Sequence, residues 1–308
     1  MACAEQAINP LSVKAMKSTL MLLSLFMYGL SSAQEFDRTA SVGFFNGVIN
    51  YQGDLNPNSF TLKHSNFATG IFARKPMNRW LTLRAGITIG KIEASDSWNR
   101  DYLKSRNLSF TTSVKEAYAG FELTILDMSA KRFTPYFYGG IAVFHFNPWT
   151  YDNTGMKTFL KPLSTEGQGL AEYPEQKPYN LTQFALPFGV GARFAVTDDI
   201  NIGIEFNQRK SFTDYIDDVS THYVDRDVLL QAKGTKAVEL AYRGGQSPLG
   251  QPQYPQYGEQ RGTPSEMDWY YFLGLTMEFK LNTFSGLFGG HINKKGVASQ
   301  CCPRNITY

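Results

Sequence analysis

The chain has 308 residues, of which 43% are hydrophobic and 14% aromatic, with 27 glycines and a formal charge of +3. So small a charge gives no electrostatic basis for nucleic-acid binding, and no stretch reaches the ~20 apolar residues of a membrane-crossing helix. Its three cysteines are too few for a disulfide framework.

Lys14 and Lys17 precede the apolar run TLMLLSLFMYGL (19–30), which leads into Ser31 and Ala33. A positive start, a short apolar core and small residues at a cleavage point mark a secretory signal. Residues 1–33 are therefore expected to be removed, with either Met1 or Met16 as the start. No cysteine follows the apolar core, which argues against a lipid anchor.

Strand-like segments follow. Those at 40–51 and 65–75 alternate weakly. LTLRAGITIGK (81–91) places Leu81, Leu83, Ile87 and Ile89 opposite Thr82, Arg84 and Thr88. KEAYAGFELTI (115–125) places Phe121, Leu123 and Ile125 opposite Glu116, Tyr118 and Glu122. The segment 134–146 is again weaker. FALPFGVGARF (184–194) sets Phe184, Leu186, Phe188 and Val190 against Arg193. INIGIEFNQR (200–209) sets Ile200, Ile202, Ile204 and Phe206 against Glu205 and Arg209. WYYFLGLTMEFKL (269–281) sets Leu273, Leu275 and Met277 against Tyr270, Thr276 and Glu278. Successive side chains of a strand point to opposite faces, so each segment reads as a strand with one apolar and one polar face.

The connections alternate in length. Short ones lie at 76–79, 126–133 and 196–199, and long ones at about 52–64, 93–109, 147–182 and 211–267. Long structureless loops are uncommon in compact domains. Eight strands with short turns at one end and long loops at the other is the layout of an outer-membrane barrel. Ten or eleven residues at about 3.3 Å each, tilted by about 45°, span roughly 25 Å, the height of the apolar band. The expectation is an all-β fold, an eight-stranded antiparallel transmembrane β-barrel over 36–281 with long extracellular loops, one carrying a short helix. A soluble sandwich is the alternative. Trp80, Tyr136, Tyr138, Phe144, Phe146, Trp149, Trp269, Tyr271 and Phe279 lie near strand ends and are expected at the membrane interfaces.

The polar faces carry Arg84, Glu116, Glu122, Arg193, Glu205, Arg209 and Glu278. Eight strands leave an interior that side chains fill, and charges there need partners. These seven are expected to form a paired network in the lumen.

KPLSTEGQGL, within the 147–182 loop, reads as a surface loop without a chemical motif. The last loop holds Asp214, Asp217, Asp218, Asp225 and Asp227. Their oxygens suit a hard cation, but the spacing matches no EF-hand, and turn formation and helix capping are the preferred roles. No metal site is assigned. Residues 226–245 read as helical, weakened at Gly234 and stopped by Gly244–Gly245. The Pro/Gln/Gly-rich stretch 246–266 is expected to be mobile. The tail 282–308 carries Lys294, Lys295 and Arg304 without an acid, and adjacent Cys301 and Cys302. It suits an acidic partner or lipid headgroups, or is disordered.

Four histidines are present, His64, His145, His222 and His291. No Gly-x-Ser-x-Gly or His-Glu-x-x-His motif occurs. No catalytic residue, cofactor or small-molecule substrate is assigned, and the chain is read as a non-enzyme.

Four stretches together resemble one family: GVINYQGDL (47–55), TDYIDDVSTHYVD (213–225), DWYYFLGLTMEFKL (268–281) and a lysine-bearing tail with Cys302–Pro303. They resemble the PorG-like outer-membrane barrels of Bacteroidota, associated with type IX secretion and gliding motility, over about 36–304. The family loop motif falls on Asp214, Tyr215, Asp217 and Asp218. The resemblance implies a structural barrel surrounded by outer-membrane lipid in a Gram-negative bacterium. It also implies that the barrel tethers periplasmic ring proteins or lipoproteins of the secretion machinery. Lys294, Lys295, Cys301 and Cys302 are the candidates for contact through the tail. The tail departs from the family in its length and its paired cysteines. A small pore, or a surface-binding barrel of unrelated role, is the alternative.

Overall fold

The computed structural model describes residues 37–128 and 131–282. The export signal expected at 1–33 and the tail residues Lys294, Lys295, Cys301 and Cys302 lie outside the described residues.

The described residues form ten strands: β1 (Ser41–Gln52), β2 (Asn66–Pro76), β3 (Leu81–Ser95), β4 (Ser109–Thr124), β5 (Phe133–His145), β6 (Trp149–Tyr151), β7 (Lys157–Phe159), β8 (Thr182–Ala195), β9 (Ile200–Ser211) and β10 (Trp269–Lys280). Three helices, α1 (Asp101–Lys104), α2 (Arg226–Lys233) and α3 (Thr235–Ala241), lie in the long loops. β6 and β7 form a small hairpin in the loop after β5. The other eight strands pair antiparallel in the order β1-β2-β3-β4-β5-β8-β9-β10, and β1 pairs with β10 from Ser41↔Lys280 to Gln52↔Trp269. The wall is a closed eight-stranded transmembrane barrel, with no strand edge left for lipid to meet.

The alternation read from the sequence sets the two faces. Phe67, Ile141, Leu275 and Phe184 point outward and are 63–66% exposed. With Ile71, Ile87, Ile89, Phe121, Leu123, Phe137 and Ile204 they make an exterior too apolar for water. The opposite faces are buried. β3 and β4 are 15 and 16 residues long, longer than a bilayer needs. The excess rises beyond their neighbours at the long-loop end, because β2 pairs only as far as Gly90 and β5 only from Lys115.

The weak alternation of β1 and β5 has a physical cause. Toward the long loops the interior is aromatic rather than charged, so both faces of these strands are apolar. Phe45, Ile49, Phe72, Phe110, Phe144, Tyr270 and Phe272 form this layer. This corrects the expected interfacial placement of several aromatics. Tyr136, Tyr138 and Phe144 share the inward parity of β5 and are at most 4% exposed, and Phe146 is fully buried just beyond it. Tyr271 faces outward, yet the 53–65 loop covers it: its hydroxyl donates to Thr61 O at 2.6 Å and its ring meets Phe60 at 5.9 Å. Trp80, 43% exposed, remains on the surface at a short turn.

The long loops close over the barrel mouth as an ordered cap with a core of its own, Leu170, Tyr173, Val224, Leu229, Ala237 and Ala241. The segment read as one helix is two. Gly234, at φ +84, breaks it between α2 and α3, a backbone shape that favours glycine. The Asp225 side chain caps α2, accepting from the backbone N–H groups of Asp227 (2.9 Å) and Val228 (3.0 Å).

Candidate functional site

All seven charges assigned to the lumen face it, and all are at most 7% exposed. The structure adds an eighth, Arg74 of β2, at the centre of the network. Arg74 donates through Nε to Glu122 Oε1 at 2.7 Å and also pairs with Glu278. Arg84 grips Glu205 with two bonds, Nη1 to Oε2 at 2.6 Å and Nη2 to Oε1 at 2.9 Å, and reaches Glu122 at 3.2 Å. Arg193 pairs with Glu122 and lies 3.6 Å from Glu278. Tyr136 donates to Glu205 at 2.8 Å and Asn201 donates to Glu278. Three guanidiniums thus face three carboxylates, so charge balances where desolvation would otherwise be costly. The Phe72 ring lies 4.3 Å from the Arg74 guanidinium and 4.5 Å from that of Arg84, a cation–π contact with each.

Above this layer Arg209 donates to Glu116, Nε to Oε2 at 3.0 Å and Nη2 to Oε1 at 2.9 Å. Tyr270 donates to the same carboxylate at 2.7 Å. The aromatic layer follows, with Phe144 against Tyr270 at 5.1 Å and Phe45 edge-on to Phe272 at 5.9 Å. The lumen is filled here, with Arg74, Arg84 and Glu122 only 0–2% exposed.

The loop motif lies in the cap, at the barrel mouth. Asp217 accepts from the Tyr51 hydroxyl at 2.6 Å and from Val219 N at 2.9 Å. Asp218 accepts from Thr165 Oγ1 at 2.6 Å and Tyr179 Oη at 2.7 Å. Tyr215 stacks on Tyr179 at 4.8 Å. Asp214 is 5% exposed, and neither of its carboxylate oxygens makes a well-formed hydrogen bond. Burial pushes the Asp214 carboxyl up to about 9, helped by the charge of Asp217. Burial also lifts Asp218 to about 6, although Arg261 opposes the shift. Among the described residues no group of three or more His, Cys, Asp or Glu side chains is arranged to hold a metal ion.

Two of the residues that hold the cap together were not singled out in the sequence. Arg261 is 2% exposed and donates to Glu166 at 2.8 Å and to Asp218 O at 2.6 Å. Glu166 also accepts from Ser220 N, Thr221 N and Thr221 Oγ1 at 2.8–3.0 Å. This corrects two expectations. KPLSTEGQGL is not a surface loop, because Ser164, Thr165, Glu166 and Gln168 are buried. The 246–266 stretch is not loose throughout, because Arg261 pins it. Polar composition looks alike whether the polar groups meet water or one another, and these partners are far apart in the chain. His145 lies on an exposed face with Nδ1 3.0 Å from Thr182 Oγ1.

A family model described as "Domain of unknown function (DUF6089)" matches residues 17–230. No curated protein matches the chain. Among solved structures the chain is similar to Neisserial surface protein A, at 11% identity over 78% of this chain and 96% of that one, with a TM-score of 0.38. It is similar to Ail, the attachment invasion locus protein of Yersinia pestis, solved in complex with the heparin analogue sucrose octasulfate. There the identity is 8% over 79% of this chain and 100% of that one, with a TM-score of 0.37. It is also similar to a major outer membrane protein from Thermus thermophilus, at 11% identity over 78% and 98% respectively, with a TM-score of 0.34.

Proposed function

The chain belongs to the DUF6089 family, a domain of unknown function, and we propose that it is a non-enzymatic outer-membrane barrel anchoring the periplasmic ring of the type IX secretion machinery. The observation that carries the reading is the filled lumen. Arg74, Arg84, Glu122 and Glu205 are almost unreachable by solvent, so the barrel offers partners its wall, cap, turns and tail rather than a passage. Placement in the outer membrane is supported by the apolar exterior on strands, an architecture of that membrane, and by the export signal read at 1–33. The secretion role is supported by the family resemblance, carried by GVINYQGDL, the Asp214–Asp218 motif and the last strand.

In this reading the long loops face outside the cell. The short turns face the periplasm together with 282–308, since an even strand number returns both chain ends to one side. Lys294 and Lys295, whose charge suits an acidic face of a ring protein or lipoprotein, are with Cys301 and Cys302 the candidates for that contact.

The test is co-purification. The protein is tagged in an outer loop, native outer membrane is solubilised in mild detergent, and the companions are identified. The expected result is recovery of ring proteins that is lost when 282–308 is deleted. Recovery that survives the deletion moves the contact to the short turns. Absence of ring proteins overturns the anchor, and steady single-channel conductance overturns the filled lumen.

A second reading, a surface-binding barrel, is favoured by one feature. The cap holds a cleft of about 640 Å³ lined by Tyr223, Tyr242, Tyr254, Gln256 and Glu259. Its size lies within the range of small-ligand sites. Binding to cell-surface material that is lost in Tyr242→Ala would favour it.

A further inference from the structure

Where the cap meets the wall, one hydroxyl stands between two carboxylates. Tyr51, near the end of β1, has its Oη 2.6 Å from Asp217 Oδ2 and 2.8 Å from Asp268 Oδ1. A phenol has one proton to donate. With both acids ionised, one short O···O contact would hold no hydrogen at all. The backbone bonds decide which. Asp217 Oδ2 also accepts from Leu55 N at 3.3 Å, and its Oδ1 accepts from Val219 N, so this carboxylate is served as an anion. Asp268 Oδ2 accepts from Ile216 N at 2.8 Å, which leaves Oδ1 to carry a proton and donate it to Tyr51. Gly53 sits on this pair, and a Cβ there would overlap both Tyr51 Oη and Asp268 Oδ1. The surroundings are acidic. Asp54 and Asp214 face the pair, and Glu166 lies beyond them. Asp214 is buried without a well-formed bond, and the Ser220 hydroxyl faces it. The two guanidiniums nearby are committed elsewhere, Arg106 to Asp96 at 2.8 and 2.9 Å and Arg261 to Glu166.

We propose that Asp268, Tyr51 and Asp217, with Asp54 and Asp214 around them, form a proton-holding latch that seats the loop cap on the barrel mouth and releases it when alkaline medium withdraws the proton. The chain of bonds runs from the cap (Asp217) through β1 (Tyr51) to the residue before β10 (Asp268). Closed, the latch needs a hydrogen in each short contact. Deprotonated, it places like charges side by side in a site whose two nearby guanidiniums already hold Asp96 and Glu166. Burial raises Asp268 well above the ordinary carboxylate range, in line with this. A carboxyl with a raised native pKa stabilises the folded form below that pKa, and the stabilisation is lost as pH rises through it.

The test is hydrogen exchange of the full-length protein in nanodiscs from pH 6 to 10, corrected for intrinsic rate. The peptides compared are 211–225 and 260–268 in the cap and those of β3 and β9 in the wall. Wild-type cap protection is expected to fall by about tenfold per pH unit for each proton released as pH rises toward the native pKa of the latch, and to level off above it, while the wall is unchanged. Asp268→Asn supplies a permanent N–H to Tyr51 and is expected to hold the cap closed across the range. Asp214→Asn, which breaks no well-formed bond, is expected to move the release to higher pH, and it decides the question should Asp268→Asn fail to fold. A wild-type cap that is flat with pH overturns the latch. So does an Asp268→Asn cap that titrates like wild type. Protection restored at pH 9 by calcium alone overturns it too, by making the neutralising charge a metal ion.

Discussion

Arg74 on β2 donates through Nε to Glu122 on β4 at 2.7 Å, and both side chains are essentially inaccessible to solvent. The bond passes across the intervening β3, so it ties the wall together through the lumen rather than along the sheet. Breaking a buried pair by removing one partner leaves an uncompensated charge, at a cost of about 3–5 kcal/mol. Arg74→Ala is expected near the lower end, since Arg84 and Arg193 still face Glu122. The measurement is the denaturant midpoint of the heat-modifiable folded band in detergent.

Glu122 touches three guanidiniums, those of Arg74, Arg84 and Arg193. Glu122→Gln is therefore expected to cost more than Arg74→Ala in the same assay. The double variant, Arg74→Ala with Glu122→Gln, is expected to cost less than the sum of the singles, because partners in one network are coupled.

The Tyr136 ring occupies the space above Gly191, where any Cβ would overlap it. Gly191→Ala is expected to destabilise the barrel by about 1–3 kcal/mol through overpacking. Pairing it with Tyr136→Leu is expected to recover part of the loss, although Glu205 then loses a donor. A full additive loss in the double variant would show that the ring is not what Gly191 accommodates.

Arg261→Ala removes the donor that joins Glu166 to Asp218 O. The expected result is a cap cleaved by chymotrypsin after Leu249 or Tyr257, with the barrel band intact. Asp225→Ala, which removes the cap of α2, is expected to cost about 1 kcal/mol, confined to exchange of 226–233.

Asp218 gives a pH dependence at the acid end. Burial raises its carboxyl to about 6, so the folded cap holds more protons than the unfolded chain between about 4 and 6. Cap stability from this group is fully present below that window and is lost as pH rises through it. Exchange of 213–221 is expected to slow on acidification from pH 6.5 to 4, and Asp218→Asn is expected to flatten this part of the profile.

The wall was legible because its determinant is local. Alternation at Leu83–Arg84, Phe121–Glu122 and Ile204–Glu205 assigns each side chain to lipid or lumen with no knowledge of its partner. Arg74 escaped notice because the inward positions before it, Ala68, Gly70 and Phe72, are not polar, so β2 showed no polar face. The aromatics of β5 were misplaced for a related reason. Nearness to a strand end suggests an interface, whereas parity decides the side, and Tyr136, Tyr138 and Phe144 have inward parity. The cap was least legible. Asp225 announced a helix start by its local pattern. Glu166 and Arg261 are joined only by folding, across 95 positions of chain, and nothing near either residue signals the other.

The seam between β1 and β10 sets an order of events. Every other junction of the wall joins strands consecutive in the barrel sequence and can form as a hairpin. This one joins its first and last strands over twelve residue pairs, so the loop it closes contains all the rest. Loop closure over such a distance carries the largest entropic cost and comes late. Until it forms, two bare edges stand open and the pair between Arg74 and Glu278 is unmade. The unclosed chain must therefore be kept from aggregating until its final strand arrives.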